Sequence, residues 1–327
     1  MKNPESFSDP IPFDFFGIDP SLFLEDDKAY VQGSFIFGYR KKPATTIMQG
    51  VIDLKTAKAD NPWGPFQSYE GNPILTMQGP SDNIQCVGHA ELFDDLNSNW
   101  WCVMIARREF GSSYLLGRET YLTPVFWPQG EFPQIDTVRL EQPLPSSHKL
   151  ARSTAKPARR KVTLGSLYTI YLRGLDSSLY RESDPSLFIK ASSPLGAQEG
   201  TVAVVGHRQT SLASVANVIL NTKCHLKRSQ AGLSLYKDTF RYAAIEVDAG
   251  GELSLVCLQA GEATTSCRCI RPIGDAEALT LTIRSTVEKY VFSYAAKMVG
   301  EWSGETELGT VSTAVFSRDD FTGKSLP

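Results

Sequence analysis

The chain has 327 residues, a formal net charge of −3, 42% hydrophobic residues and 10% aromatic residues. This length is sufficient for two domains, and the composition is that of a globular protein rather than a disordered one. The small negative charge does not favour nucleic-acid binding, because phosphate recognition requires a basic face. No apolar stretch approaches the ~20 residues of a membrane span, so we expect no membrane insertion.

The first predicted element is a β-hairpin near the N-terminus. Residues 18–27 (IDPSLFLEDD) form an apolar segment and an acidic turn, and residues 28–31 (KAYV) begin a second strand. An acidic turn between two strand-like runs is typical of a hairpin. Asp19 opens this pattern. Considered alone, it is interpreted as a polar residue that caps a turn before Pro20.

A second hairpin repeats the pattern further along the chain. Residues 88–95 (GHAELFDD) lead through a polar turn to residues 100–103 (WWCV), and His89 stands where Asp19 stands in the first copy. If the hairpins are equivalent units around an axis, Asp19 and His89 open equivalent strands and face the same centre. A β-propeller assembles a polar site from separate blades in this way. The alternative is that His89 is a core histidine with satisfied hydrogen bonds.

The chain changes character after residue 145. The basic, Pro-bearing stretch 156–161 (KPARRK) predicts a solvated linker rather than a nucleic-acid contact, because no aromatic residues are interleaved with its charges. From residue 162 onward short strand-like runs alternate with turns, as in residues 167–172 and 279–283, which is typical of a β-sandwich. We therefore predict an all-β protein whose parts are residues 1–145, a linker at 146–161, and residues 162–327.

The cysteines and the N-terminus bear on the compartment. The six cysteines have no framework-like spacing, and we interpret Cys267 and Cys269 as thiols on one face of a strand rather than as a metal or redox pair. The N-terminus has no apolar signal segment, and the chain has no Asn-x-Ser/Thr sequon. The chain as written is therefore predicted to be intracellular.

The chain resembles glycoside hydrolase family 43, the β-xylosidase and α-L-arabinofuranosidase group. The resemblance implies a five-bladed β-propeller followed by a concanavalin A-like β-sandwich. A blade takes about 40–45 residues, so residues 1–145 predict an incomplete five-bladed propeller. The matching stretches keep a fixed order over nearly the whole chain: 17–23 (GIDPSLF), 63–66 (WGPF), 72–75 (NPIL), 88–92 (GHAEL), 116–120 (LGRET), 205–209 (VGHRQ) and 231–238 (AGLSLYKD).

The resemblance also implies a reaction, the inverting hydrolysis of xylan- or arabinan-type saccharides. One carboxylic acid protonates the leaving oxygen and one carboxylate activates water, with roughly 6.5–9.5 Å between them. Family members add a third carboxylate, which orients the acid and raises its pKa. By matching, Asp19 takes this third role. His89 lies in the pocket close to a bound ion or water, and Arg118 reaches in to hold a carboxylate or sugar hydroxyls.

Two catalytic segments of the family have no counterpart in the sequence. Nothing before Asp19 resembles the segment of the general base, and no glutamate stands in the Glu-Gly-Pro setting of the general acid. We therefore expect a shortened relative with impaired hydrolysis, through true loss or an incorrect gene model. The alternative is a non-catalytic glycan-binding or vestigial protein, which the retained tryptophans favour: Trp63, Trp100, Trp101 and Trp127.

The expected partner is an oligosaccharide, as substrate or as ligand, without nucleic acid or membrane. We expect no cofactor, although the resemblance allows a Ca²⁺ near His89. Secreted relatives are common, in contrast to the intracellular prediction for this chain. The sequence does not separate a xylosidase from an arabinofuranosidase, because pocket walls decide that choice, and it does not predict an oligomeric state.

Overall fold

The computed structural model describes residues 17–25, 28–36, 45–52, 67–77, 83–111, 114–142, 161–222, 229–259, 271–273 and 275–317. Within these ranges the regular structure consists of β-strands and two short 3-10 helices, so the predicted all-β class is confirmed. No helix among the described residues is long and apolar enough to cross a membrane.

Contacts between residues divide the chain into two units. The first comprises Met1–Arg152 with Asp319–Pro327, and the second comprises Ser153–Arg318. The domain limits 1–145, 146–161 and 162–327 stay predictions, because residues 143–160 lie outside the described ranges.

Among the described residues, the first unit contains two antiparallel sheets of the kind found in propeller blades. The first sheet has the order β1-β2-β3-β4, with β5 beside β3, and the second has the order β6-β7-β8-β9. The strands of the first sheet are β1 (Ile18–Glu25), β2 (Lys28–Ile36), β3 (Thr45–Ile52), β4 (Gln67–Ser68) and β5 (Leu75–Thr76). Those of the second are β6 (Ile84–Asp94), β7 (Trp100–Arg108), β8 (Arg118–Phe126) and β9 (Gln134–Ile135).

An apolar core lies between these two sheets. Ile47 and Leu75 of the first sheet and Leu92 and Met104 of the second belong to one buried cluster. Alternation along the strands places these side chains on one face of each sheet. Each fully buried aliphatic side chain contributes about 1.5–3 kcal/mol, so this core holds the two sheets together.

The second unit is the predicted β-sandwich, with sheets β14-β19-β20 (flanked by β21 and β22) and β15-β16-β17-β18. Its core contains Ile245, Leu255, Leu281 and Phe292. Two small sheets, β10-β13 and β11-β12, precede it. The strands are β10 (Ile170–Tyr171), β11 (Tyr180–Ser183), β12 (Ser186–Ile189), β13 (Val205–Gly206), β14 (Ser214–Asn221), β15 (Ala231–Asp238), β16 (Arg241–Val247), β17 (Glu252–Leu258), β18 (Arg271–Pro272), β19 (Ala278–Ser285), β20 (Lys289–Met298), β21 (Glu301–Trp302) and β22 (Thr306–Ser312). The 3-10 helices are Ser177–Leu179 and Thr313–Val315.

One strand prediction in this unit is confirmed and another is wrong in extent. Residues 279–283 lie within β19, but residues 167–172 contribute only the two-residue strand β10. The reason is a turn, because Thr169 Oγ1 donates to the Thr163 carbonyl at 2.7 Å. The backbone before Ile170 therefore makes local hydrogen bonds instead of a longer strand pairing.

Candidate functional site

Asp19 lies in a β-bulge of the first strand of the first sheet. Ile18 pairs with Ser34 and Ser21 pairs with Gln32, so Asp19 and the residue after it oppose a single residue of β2. The backbone of Asp19 is left-handed, with φ of 53°. A bulge of this kind re-aims the side chain that it carries.

His89 lies in an equivalent bulge of β6. Gly88 pairs with Ile105 and Glu91 pairs with Val103, so His89 and its successor oppose one residue of β7. Its φ is also 53°. The repeated sequence pattern therefore produces the same backbone irregularity twice, at the same position of the repeat.

The two bulges bring the side chains of Asp19 and His89 together. The distance from His89 Nδ1 to Asp19 Oδ2 is 3.6 Å, and the two side chains are 54% and 40% exposed, respectively. This separation is longer than a hydrogen bond, and solvent access weakens any ionic attraction. A carboxylate and an imidazole placed side by side remain accessible to a polar ligand such as a sugar hydroxyl.

Side chains from β2 bond to the backbone of the His89 bulge. Ser34 Oγ accepts a hydrogen bond from the backbone N–H of His89 at 2.8 Å. Gln32 Nε2 donates to the carbonyl of Ala90 at 2.9 Å. Ser34 is 2% exposed and Gln32 is 1% exposed. These buried bonds satisfy backbone groups that the bulge removes from regular ladder pairing.

Two further contacts continue this line of bonds between the sheets. Thr45 Oγ1 donates to the carbonyl of Val87 at 2.7 Å. Ser21 Oγ donates to Glu91 Oε2 at 2.5 Å. We call Ser21, Gln32, Ser34 and Thr45 the polar seam. These four residues have no distinctive signal in the sequence, because isolated polar residues in a strand are ordinarily assigned to the solvent face.

Arg118 is the first residue of β8 and is exposed. It pairs with Arg107 of β7, so one strand stands between it and β6. The backbones of β6 and β8 are therefore two strand spacings apart, roughly 10 Å. The role of Arg118 in the pocket stays a prediction.

The residues around Arg118 are held by charge pairing. Arg108 Nε and Nη2 donate to the two oxygens of Glu119, each at 2.9 Å. Hydrogen bonding to Glu119 raises the pKa of Arg108 above its usual value. Burial, together with the nearby Glu119 carboxylate, raises the pKa of Tyr121 to about 12. The pair fixes the paired ends of β7 and β8, where Arg118 begins its strand.

Three of the four tryptophans that favoured saccharide binding lie among the described residues, and these three pack against other side chains. Trp100 lies 5.1 Å from the Phe23 ring and 4.8 Å from the Trp127 ring, between centroids. Trp101 is 5% exposed. Trp63 lies outside the described residues. These three described rings contribute to the core instead of forming an open stacking face, so they do not support the binding alternative.

The Ca²⁺ that the resemblance allows near His89 stays a prediction. Calcium takes six to eight oxygen ligands, and a neutral imidazole offers nitrogen. Among the described residues there is no group of three or more His, Cys, Asp or Glu side chains arranged to hold a metal ion.

The segments on which the predicted loss of the catalytic base and acid depends lie largely outside the described residues. The residues before Gly17 and residues 53–66 lie outside the described ranges. Of the two nearest glutamates, Glu70 is exposed in a turn and Glu91 accepts the hydrogen bond from Ser21. The loss therefore stays a prediction.

Comparison with known proteins gives two family matches in order along the chain. Residues 38–133 match the model of Glycosyl hydrolases family 43, and residues 176–326 match the Beta xylosidase C-terminal Concanavalin A-like domain. His89 and Arg118 lie inside the first match, and Asp19 lies before it. The second match covers most of the sandwich unit.

Similar curated proteins carry glycosidase names. The chain is 24% identical over 377 aligned residues to the non-reducing end alpha-L-arabinofuranosidase BoGH43B of Bacteroides ovatus, across 98% of this chain and 70% of that protein. It is 38% identical over 89 residues to a xylosidase/arabinosidase of Butyrivibrio fibrisolvens, across 27% of this chain and 17% of that protein.

Similar solved structures support the fold. Bacteroides ovatus Xyloglucan PUL GH43B has a TM-score of 0.74 at 23% identity, and the match covers 93% of this chain. A xylan beta-1,4-xylosidase from Bacillus halodurans C-125 has a TM-score of 0.65 at 19% identity and 95% coverage of this chain. This chain spans 59% of the first of these structures and 72% of the second. The two ordered family matches show that the chain carries a domain of glycoside hydrolase family 43 at residues 38–133, followed by the concanavalin A-like domain of β-xylosidases at residues 176–326.

Proposed function

We propose that the protein acts on xylan- or arabinan-type saccharides and that Asp19 and His89 form part of its saccharide site. The observation that carries the proposal is the 3.6 Å approach of His89 Nδ1 to Asp19 Oδ2 from matched bulges of two separate sheets. Two half-exposed polar side chains, each on a left-handed non-glycine backbone, are typical of a functional site rather than of a core.

Each residue has a defined role in the proposed chemistry. The Asp19 carboxylate takes the position from which, in an inverting glycosidase, a negative charge orients the general acid and keeps it protonated. His89 offers an imidazole to the sugar hydroxyls at the same centre. Arg118, with its fixed neighbours Arg108 and Glu119, is the proposed donor to a sugar hydroxyl or a carboxylate.

We further propose that hydrolysis by this chain is impaired, because no glutamate of its sequence stands in the Glu-Gly-Pro setting of the general acid. Removal of the general acid from such a mechanism costs about 10²–10⁴ in rate. The second candidate is a protein that binds glycans without cleaving them. Both candidates use the Asp19–His89 site, so they agree on binding and differ in turnover.

Binding tests the site itself. We expect heat in calorimetric titrations with xylo- or arabino-oligosaccharides for the wild-type chain, and a dissociation constant at least about tenfold weaker for Asp19→Asn, which corresponds to one lost charge-assisted hydrogen bond. Asp94→Asn is the matched control, because Asp94 is an exposed carboxylate at the far end of β6. The absence of heat with every oligosaccharide would remove both candidates.

Turnover then separates the two candidates. An aryl β-xyloside and an aryl α-L-arabinofuranoside are the substrates, and released phenol is measured. Slow release that disappears in Asp19→Ala and persists in Asp94→Asn supports the hydrolase. Saccharide binding without any release supports the glycan-binding protein.

A further inference from the structure

The His89 bulge leaves parts of the β6 backbone without regular partners in β7. Two residues of β6 oppose one residue of β7 there, so the ladder is interrupted. Buried backbone N–H and C=O groups require partners. The side chains of Ser34 and Gln32 provide them, through the His89 N–H at 2.8 Å and the Ala90 carbonyl at 2.9 Å.

The same two residues also border the Asp19 bulge. Ser34 pairs through its backbone with Ile18, immediately before Asp19, and Gln32 pairs with Ser21, two residues after it. Ser34 and Gln32 thus hold one bulge by backbone pairing and the other by side-chain hydrogen bonds. Both side chains are almost completely buried, which limits the access of competing water to their hydroxyl and amide groups.

Gly88 shows that the fit around Ser34 is close. A Cβ atom at position 88 would lie 2.7 Å from Ser34 Oγ. Real Cβ atoms do not approach an oxygen this closely, so glycine at this position allows the Ser34 hydroxyl to reach the next residue, His89. The hydroxyl therefore occupies a space that the β6 backbone leaves open for it.

We propose that Ser34 and Gln32 are positioning residues that fix His89 against Asp19. They touch no ligand themselves; they act by setting the backbone position of the His89 bulge relative to the Asp19 bulge. The effect of Ser34 and Gln32 on saccharide binding rests on the proposed function. Their effect on the position of His89 relative to Asp19 does not require a saccharide, so the two effects are measured separately.

The geometric test uses Ser34→Ala in the full chain. Loss of the acceptor is expected to raise the hydrogen-exchange rate of the His89 amide about tenfold, the equivalent of one lost hydrogen bond. The ring signals of His89 in ¹H–¹⁵N spectra give the second readout, assigned with His89→Gln. At one fixed pH, Asp19→Asn is expected to shift these signals in the wild-type background and to shift them much less in the Ser34→Ala background.

Ser293→Ala is the matched control. Ser293 is also 2% exposed and its hydroxyl is hydrogen-bonded, but it lies in the second unit. We expect it to leave the His89 readouts unchanged. Should Ser34→Ala fail to fold, Gln32→Met removes the donor to Ala90 at similar volume and is subjected to the same two measurements.

The outcomes separate the positioning role from the proposed function. Unchanged amide exchange and an unchanged response to Asp19→Asn in the folded variant would overturn the positioning role, as would equal effects from Ser293→Ala. If the NMR readouts change as expected and the wild-type chain binds no oligosaccharide, the positioning role stands and the proposed function fails. If the wild-type chain binds, Ser34→Ala is expected to weaken binding about tenfold, in parallel with the geometric change.

Discussion

The positions of Asp19 and His89 impose two requirements that few residue types meet together. Their backbones are left-handed at φ of 53°, and their side chains carry polar atoms to a shared point. Among non-glycine residues, Asn, Asp and His are enriched several-fold in this backbone region, whereas β-branched residues are outliers there. The residue types at the two bulges therefore suit the backbone as well as the site.

The backbone requirement gives the first prediction. His89→Val is expected to lower the free energy of unfolding by about 1–3 kcal/mol relative to His89→Asn, because valine resists a positive φ that asparagine accepts. Both variants remove the imidazole, so their difference isolates the backbone effect. Urea unfolding measures it. Equal stability of the two variants would mean that the left-handed backbone at this position is not a constraint.

Asp95 gives a prediction about pH. Its carboxylate accepts hydrogen bonds from Trp101 Nε1 at 3.0 Å, from the Asn99 side chain, and from the backbone N–H groups of Asn97 and Asn99. The Trp101 bond is the largest cause that holds the pKa of Asp95 well below its usual range. Because the pKa is lower in the folded state, the carboxylate stabilises the fold above its unfolded pKa of about 3.9, and this contribution is lost as the pH falls towards the folded pKa.

The comparison is between wild type and Asp95→Asn, whose amide does not titrate. The wild type is expected to be the more stable of the two at pH 7, and the difference is expected to shrink below about pH 4. Urea midpoints at several pH values between 7 and 2 measure it. A difference that stays constant over this range would contradict the role of the ionised carboxylate.

At the scale of elements, the repeat was predictable and the bonds between its copies were not. The patterns around Asp19 and His89 predicted two equivalent strands, and β1 and β6 follow them. The polar seam escaped prediction because the burial of Gln32 and Ser34 depends on a neighbouring sheet that is distant in sequence. A strand pattern fixes which side chains share a face, but it does not show which buried polar groups will find partners.

Strand spacing in the sandwich provides the third prediction. A Cβ atom added to Gly232 in β15 would lie 1.9 Å from the carbonyl oxygen of Ile245 in β16. Backbone must move to relieve this overlap, so Gly232→Ala is expected to lower the free energy of unfolding by about 1–3 kcal/mol or more. Gly206→Ala in β13 is the control, since nothing lies within 4 Å of its added Cβ. Thermal unfolding of both variants measures the difference, and similar midpoints would contradict the close approach of β15 and β16.

For the whole molecule, the fold class and the order of the two domains were predictable, because each domain carries its own repeated sequence pattern. Short strands with regular turns predicted the sandwich, and the two hairpins predicted blade-like sheets. The part played by Arg118 was not settled by the same reasoning. The motif identified Arg118 as a candidate site residue. Whether its guanidinium reaches the Asp19–His89 site depends on a side chain that starts two strands away from His89. Local patterns therefore predicted elements better than they predicted distances between side chains.

Each unit has its own buried core, so a substitution in one unit is expected to change the stability of that unit. Two cysteines report on the two units separately: the buried Cys102 in β7 of the first unit, and the half-buried Cys257 in β17 of the second, which is expected to label more slowly in the folded unit than in the unfolded one. Burial, with a further contribution from the charge of Glu91, raises the pKa of Cys102 to about 12. Since the thiolate is the reactive form, Cys102 is expected to resist alkylation at pH 8 until the first unit unfolds.

Iodoacetamide labelling of the full chain at rising urea concentration, read by peptide mass spectrometry, tests this expectation. Gly232→Ala is expected to bring labelling of Cys257 to lower urea and to leave the midpoint for Cys102 unchanged, because position 232 lies in β15 of the second unit. Gly206→Ala should change neither midpoint. An equal shift of both cysteines in Gly232→Ala would mean that the two units unfold as one cooperative body, and labelling of Cys102 without urea would contradict its burial.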